Sequence, residues 1–200
     1  MIVAALFGLG CISTVDDTAP ADSGGTGDTV DDTATEARAA DDARVRALDT
    51  TQLPTASNPC AAPQLVRVNY AVDGDTFNGY PDGGGQSVKV RMIGVDTPEI
   101  AHDDSAECGG DAAFDYTEAA LEGTLVWLTF DRECFDRYDR TLAYVARDVG
   151  TAGFYNRELV RRGQATAFEV SPNSAFASDF EADERAARSE GLGLWGACNR

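Results

Sequence analysis

Two short segments of this chain bring together side chains that could bind a cation and a phosphate. Residues 72–76 read Val-Asp-Gly-Asp-Thr, and residues 91–99 read Arg-Met-Ile-Gly-Val-Asp-Thr-Pro-Glu. Their carboxylates and arginine are Asp73, Asp75, Asp96, Glu99 and Arg91. A second arginine, Arg140, ends a later Asp-Arg-Tyr-Asp-Arg sequence. Metal-assisted attack of water on a phosphodiester needs carboxylates to bind a hard cation, one further carboxylate to act as a base, and arginines to bind the phosphate. These residues supply all three.

The spacing of the carboxylates suits a cation that prefers oxygen ligands. Asp73 and Asp75 are two residues apart, so on an extended backbone they point to one face. Alone, Asp-Gly-Asp is most often only a turn. Pro98 fixes a backbone that can offer a carbonyl beside the Asp96 carboxylate, and Ca²⁺ favours such mixed oxygen shells. Zinc would require cysteine or histidine, and we expect His102, the single histidine, to be a loop residue.

The two arginines suit the phosphate. A guanidinium can grip two phosphoryl oxygens at once and stays protonated, so it stabilises the charge that develops in a transition state. Most arginines, however, are surface or ion-pairing residues, and this alternative stays open for Arg91 and Arg140.

The predicted elements indicate an α+β fold with a small barrel, because several short strands precede helices. β-branched and alternating residues predict strands at 64–72, 76–80, 87–93, 124–130 and 142–146. Apolar periodicity predicts helices at 110–122, 154–162 and 174–189. Gly163 and Gly191 follow the last two helices at positions typical of C-terminal glycines.

The motifs, taken in order, resemble the staphylococcal nuclease (thermonuclease) family. They are VDGDT, RMIGVDTPE, DRYDRTLAYV, NRELVRRG and the closing GLGLW, and they extend from Leu65 to Trp195. The resemblance implies a five-stranded OB-fold β-barrel with about three α-helices. It also implies Ca²⁺-dependent hydrolysis of DNA and RNA that leaves 3′-phosphate ends, and we expect a monomer.

The resemblance carries roles onto individual residues. Asp75, Asp96 and the Thr97 carbonyl would bind Ca²⁺, with Asp73 bound through water. Glu99 would deprotonate the attacking water. Arg91 and Arg140 would clamp the phosphate, and Tyr138 would line the nucleotide pocket.

Three departures from the family bear on substrate affinity. Asp139 stands where the family usually has glycine before its second arginine. The stretch 102–107, His-Asp-Asp-Ser-Ala-Glu, is acidic where the family is often basic. Tyrosines that stack on the base in the best-known member have no counterpart near Glu169 and Ser171.

The net charge of −18 also predicts weak affinity for nucleic acid, whose binders are usually basic. Residues 59–200 alone hold 24 acidic and 13 basic residues, a net charge of −11. Long-range electrostatic steering would therefore be repulsive, and we expect strong dependence on a divalent metal.

The N-terminal part predicts export. Residues 1–11 form an apolar run ending in Cys11, and they resemble a bacterial lipoprotein signal in which Cys11 would carry a membrane-anchoring lipid. An ordinary secretory signal, or an unprocessed terminus, is the alternative. Residues 12–58 are rich in Asp, Thr, Ala, Gly and Ser, and we expect a disordered tether, followed by one domain at 59–200. The protein would then lie in the cell envelope or be secreted.

Four further cysteines favour an oxidising compartment. Cys60, Cys108, Cys134 and Cys198 suffice for two disulfides. Pairing Cys60 with Cys198 would join the ends of the domain and leave Cys108 for Cys134, although the sequence does not fix the connectivity. Free thiols or a zinc site are weaker alternatives, because no CxxC spacing is present.

Two other functions are alternatives to a nuclease. A catalytically weak OB-fold module could bind nucleic acid or protein at the cell surface, but such a module has no need for Glu99, both arginines and both metal carboxylates together. An acidic coat that stores calcium is disfavoured, because the Asp-rich stretch lacks the EF-hand pattern.

Overall fold

A computed structural model describes residues 29–100 and 106–198, with side chains from residue 33 onwards. The described residues form seven strands: β1 Gln64–Ala71, β2 Thr76–Pro81, β3 Val88–Met92, β4 Gly94–Asp96, β5 Leu125–Thr129, β6 Thr141–Ala146 and β7 Thr166–Phe168. The helices are α1 Thr29–Arg46, α2 Gly110–Leu121, α3 Tyr155–Arg161, α4 Ala177–Glu190 and α5 Leu194–Ala197, with a 3-10 turn at Thr50–Gln52.

Five strands close into a barrel in the order β1-β2-β3-β6-β5, which confirms the fold predicted from the sequence. The β3–β6 pairing is parallel, and the other neighbours are antiparallel. Closure leaves the barrel without an open sheet edge. It also places the end of β3, which carries Arg91, beside the start of β6, where Arg140 immediately precedes the first residue.

Alternating side chains fill the barrel. Val66 and Val68 of β1 are buried, and a register shift then occurs between Val68 and Tyr70. The extra residue of such a bulge reverses the alternation, so Ala71 is buried while Tyr70 is exposed. The largest side chains that are fully buried in the core include Phe77, Met92, Leu128 and Tyr144.

A two-stranded sheet of β4 and β7 and the α3–α4 pair support the segment that follows β3. Asn156 is fully buried, donates to the carbonyl oxygens of Ile93 and Ala143, and accepts from the N–H of Val145. Gly94 has a φ of 82°, and a Cβ there would lie 2.2 Å from the Phe180 ring. Only glycine therefore allows β4 to approach α4 this closely.

Helix α1 corrects the prediction of a disordered tether for part of residues 12–58. Its Val45 is fully buried, and the indole N–H of Trp127 donates to the Val45 carbonyl at 2.8 Å. Ion pairs join Arg46 to Asp82, Asp42 to Arg67 and Asp41 to Arg147. The composition rule failed because α1 is held by contacts with residues distant in sequence, namely the burial of Val45, its bond to Trp127 and these ion pairs. Residues 12–28 of the predicted tether lie outside the described residues.

The disulfides are Cys60–Cys134 and Cys108–Cys198, so two bonds are present but the pairing considered from the sequence is wrong. The backbone N–H of Cys60 donates to the carbonyl of Asp131, which brings Cys60 to the β5–β6 loop rather than to the C-terminus. Cys11 lies outside the described residues. No helix in the described part of the chain is long and apolar enough to span a membrane.

Candidate functional site

Asp75 is a buried carboxylate at the entrance to β2, with only 4% of its surface exposed. The backbone N–H of Thr97 donates to its Oδ2 at 3.1 Å, and the Thr76 hydroxyl donates to its Oδ1 at 3.0 Å. Burial raises the pKa of Asp75 to about 7, the Arg91 charge opposes this rise, and the nearby Asp73 charge adds to it. A buried carboxylate of this kind favours a nearby positive charge.

Arg91 supplies that charge in the structure. Its Nη2 lies 3.0 Å from Asp75 Oδ2 and 2.9 Å from Asp96 Oδ1. Its Nη1 donates to the carbonyl oxygens of Met92 and Val95 at 2.6 and 2.8 Å. The guanidinium is therefore held in one orientation by β3 and β4 together.

The oxygen atoms around Arg91 Nη2 fit a hard cation. Two carboxylates from separate strands converge on one positively charged atom, so they can converge on a cation in the same region. Asp73 Oδ1 accepts the N–H of Asp75 at 3.0 Å, which closes the turn between β1 and β2 and places a further carboxylate beside the pair. Such donors suit Ca²⁺ or Mg²⁺ rather than Zn²⁺. Within the described residues, no three His, Cys, Asp or Glu side chains form a metal cluster by themselves, so backbone or water oxygens would complete the shell.

Glu99 follows this cluster in an irregular segment and is exposed. Its carbonyl accepts the N–H of Glu107 at 3.0 Å, and a Cβ added to Gly110 would lie 2.3 Å from that carbonyl. The backbone of Glu99 is thus closely packed, whereas no described residue forms an ion pair with its carboxylate. Residues 101–105, which include His102 and much of the predicted acidic stretch, lie outside the described residues.

Arg140 is held by Asp136. Asp136 Oδ2 accepts from Nε of Arg140 at 2.7 Å, and its Oδ1 accepts the N–H groups of Tyr138 and Arg140 at 2.9 and 3.0 Å. Burial tends to raise the pKa of Asp136, but the hydrogen bonds from Arg140 and Tyr138 outweigh it and leave that pKa lowered. The sequence prediction missed this role of Asp136, although its four-residue spacing from Arg140 was a visible signal.

Asp139 occupies the position where glycine was expected, and its φ is 59°. Among the described non-glycine residues it alone has a positive φ, which explains why glycine suits this turn. Aspartate tolerates the left-handed region better than most residues. Its side chain is exposed, and Arg140 is paired with Asp136 instead, so the structure shows no competition by Asp139 for Arg140.

A groove of about 410 Å³ joins the arginines to an apolar surface. Arg91 and Arg140 line it together with Tyr138, whose ring is 63% exposed and lies 5.6 Å from the Arg140 guanidinium carbon. Three further exposed apolar side chains line the groove: Phe135, Phe168 and Val170. The sequence prediction missed these three, and Phe168 supplies an aromatic ring close to where stacking tyrosines were thought to have no counterpart.

Arg91 is the residue that connects the two halves of the site. It binds the carboxylates Asp75 and Asp96 and also lines the groove with Arg140. Residues 89–197, which include both arginines, match the family described as Staphylococcal nuclease homologue. The chain belongs to this family.

Three relatives of this chain are named as nucleases. Thermonuclease from Staphylococcus intermedius is 37% identical over 129 residues, which cover 64% of this chain and 74% of the relative. Thermonuclease from Staphylococcus hyicus is 35% identical over 133 residues, covering 66% and 76%. Endonuclease YncB from Bacillus subtilis (strain 168) is 34% identical over 138 residues, covering 65% and 61%.

In this homologue the matched region includes Asp96, Glu99 and Arg140, whereas Asp73 and Asp75 precede it. The hydrogen bond from Thr97 to Asp75 and the ion pair from Arg91 to Asp75 tie the unmatched β1–β2 turn to the matched region. The carboxylate pair therefore depends on the pairing of β2 with β3, which places Asp75 beside Arg91, and on the path of the chain from β3 into β4, which carries Asp96.

Proposed function

We propose that this chain is a Ca²⁺-dependent nuclease that hydrolyses phosphodiester bonds of DNA and RNA and leaves 3′-phosphate ends. The observation that carries the proposal is the position of Arg91 between a carboxylate pair and a groove lined by a second arginine, Arg140. The names of the relatives, thermonuclease and endonuclease, support the same reaction class.

The proposed cation ligands are Asp75, Asp96 and the Thr97 carbonyl, with Asp73 acting through water. When bound, Ca²⁺ would supply Lewis-acid polarisation of a phosphoryl oxygen. The chain itself contributes oxygen ligands whose positions are already fixed. Burial of Asp75 and its hydrogen bonds from Thr76 and Thr97 hold its carboxylate in place before any ligand arrives.

Glu99 is proposed as the general base. Its carboxylate is exposed and unpaired among the described residues, so it is free to accept a proton from water. Its backbone is held by Glu107 and packed against Gly110, which limits the positions that the carboxylate can reach. A free side chain on a fixed backbone suits the transfer of a single proton.

Arg91 and Arg140 are proposed to stabilise the charge on the phosphate. Both guanidinium groups are already oriented, Arg91 by two carbonyl groups and two carboxylates, and Arg140 by Asp136. Ordering them on substrate binding therefore costs little further entropy. The exposed rings in the groove offer faces on which bases can stack, at roughly 1–3 kcal/mol per base.

Digestion of single-stranded DNA in Ca²⁺ or in EDTA tests the proposal. We expect cleavage in Ca²⁺, loss of cleavage in EDTA, and a decrease in kcat of roughly 10²–10⁴-fold in Glu99→Gln. Glu190→Gln is the matched control, because Glu190 is also an exposed glutamate but lies at the end of α4. Equal cleavage in EDTA would contradict the metal requirement. A fully active Glu99→Gln enzyme would contradict the role of the base, and binding without cleavage would indicate a binding module.

We also propose that the protein is exported and that Cys11 carries a lipid. Two disulfides in a small domain support an oxidising compartment, because such bonds are rare in reducing ones. Mass spectrometry of the mature N-terminus in the native host tests the anchor, and an unmodified Cys11 would remove it.

A further inference from the structure

Each disulfide lies at the base of one loop of the candidate catalytic site. Cys134 begins the loop that contains Asp136, Tyr138 and Arg140, between β5 and β6. Cys108 lies between Glu107, which binds the carbonyl of Glu99, and the start of α2. Neither bond joins two strands of the barrel, so closure of the barrel does not require them.

The base of the first loop is held by the disulfide and by hydrogen bonds, among them those from Asn173 to the carbonyl of Glu133 and from the Glu133 N–H to Asn173. The carbonyl of Cys134 accepts the N–H of Leu142 at 2.8 Å, and Cys60, on the other side of the bond, donates its N–H to Asp131. Beyond Cys134 the loop is organised mainly by its own Asp136. Its position relative to the groove is therefore set at its base, by the Cys60–Cys134 bond together with the hydrogen bonds between Glu133 and Asn173.

The second loop is held in the same way from the opposite end of the chain. Cys198 follows α5 and binds Cys108. A Cβ at Gly109 would lie 2.2 Å from the Leu194 side chain, so the segment next to Cys108 also packs directly on α5. Gly110 in turn packs against the Glu99 carbonyl. The C-terminal helix thus fixes the backbone of Glu99 through a short chain of contacts that includes the disulfide.

We propose that the two disulfides are positioning elements with separate tasks: Cys60–Cys134 positions the substrate-binding loop of Arg140, and Cys108–Cys198 positions the base Glu99. The assignment of tasks rests on the proposed nuclease function. It goes beyond general stabilisation, because a bond that only stabilised the fold would leave the kinetic constants of the folded enzyme unchanged.

Two double variants test this proposal, Cys60→Ser with Cys134→Ser and Cys108→Ser with Cys198→Ser, each serving as the control for the other. In the folded state we expect the first to raise KM for single-stranded DNA. We expect the second to lower kcat with little change in KM. Because misplacement of a reacting group by about 1 Å can cost about 10²-fold, effects on the order of 10- to 100-fold are expected. Unchanged kcat and KM in both folded variants, or the same change in both, would overturn the proposal.

Amide hydrogen exchange provides a readout that does not depend on activity. Faster exchange confined to residues 131–140 in the first variant, and to residues 106–110 in the second, supports the proposal. Faster exchange throughout the barrel in either variant contradicts it. If the wild-type protein does not cleave DNA, the nuclease function fails, whereas the exchange result still decides whether each bond positions its own loop. A double variant that fails to fold would also contradict the proposal, because its disulfide would then be required by the whole domain and not by one loop.

Discussion

Substitutions of Asp139 separate two effects on the turn before Arg140: the effect of backbone conformation on stability, and the effect of charge on the affinity for nucleic acid. Its φ of 59° places an L-residue in the left-handed region, which costs about 1 kcal/mol relative to glycine. Replacing it by glycine removes this cost but adds about 0.4–1 kcal/mol of unfolded-state entropy. Asp139→Gly and Asp139→Asn should therefore have nearly wild-type free energies of unfolding. Asp139→Ala, which keeps a Cβ and loses the polar side chain, carries the upper end of the left-handed penalty, about 2 kcal/mol. After the same entropy term is subtracted, it should still be about 1 kcal/mol less stable than Asp139→Gly.

The charge of Asp139 affects the affinity for nucleic acid rather than the free energy of unfolding. It is an exposed carboxylate one residue from Arg140, at the rim of a groove expected to receive a phosphate. In a high-dielectric surface environment, a like charge near the substrate is worth about 1 kcal/mol or less, which corresponds to up to about fivefold in affinity. Glycine, asparagine and alanine all remove this charge. All three variants should therefore lower KM for DNA at low salt, and the gain should disappear as salt screens the interaction.

Thermal unfolding and steady-state cleavage of the same three variants separate the two effects. For a domain of this size, about 1 kcal/mol corresponds to a Tm difference of about 2–4 °C between Asp139→Gly and Asp139→Ala. Equal Tm values for these two variants would refute the conformational argument. A KM that falls only in Asp139→Gly would refute the electrostatic argument and point to loop flexibility instead.

Two further predictions concern the support of the site. Replacing the fully buried Asn156 by leucine leaves the Val145 N–H and the Ile93 carbonyl without partners. The free energy of unfolding, measured by urea denaturation, should therefore fall by roughly 2–4 kcal/mol. An unchanged midpoint would argue against a supporting role for Asn156. Because the pKa of Asp136 is lowered in the folded state, its contribution to stability should be present above the unfolded pKa of about 4 and lost as the pH falls below it. Asp136→Asn should accordingly flatten the acid limb of the stability profile, whereas an unchanged limb would assign that limb to other carboxylates.

The barrel could be predicted from the sequence because its signals are local. Alternation marked the five barrel strands, and Gly163 and Gly191, both with positive φ, end the helices where the pattern placed them. Strands β4 and β7 were missed because each has only three residues, too few for alternation to show. Helix α1 was missed because it docks through contacts with distant residues, which no local pattern reveals: the burial of Val45, the bond from Trp127 and several ion pairs.

The candidate site was predictable in composition but not in connectivity. Motif order predicts the carboxylates and arginines of the site, whereas the ion pairs from Arg91 to Asp75 and Asp96 depend on the pairing of β2 with β3 and on the path of the chain into β4. The apolar lining of the groove comes from two separate segments, the β5–β6 loop and the residues around β7, and only folding brings them together. Disulfide pairing was beyond prediction for the same reason, because four cysteines permit three pairings.

The hydrogen bond from Trp127 to the Val45 carbonyl gives the protein an internal optical probe. The chain has two tryptophans, Trp127 and Trp195. The second lies in α5, with the Arg188 guanidinium carbon 4.0 Å from its ring centroid. With Trp195 replaced by phenylalanine, all remaining indole emission would come from the contact between α1 and the barrel. The wavelength of the emission maximum would then report, in real time and without a label, whether helix α1 stays docked on the barrel during turnover.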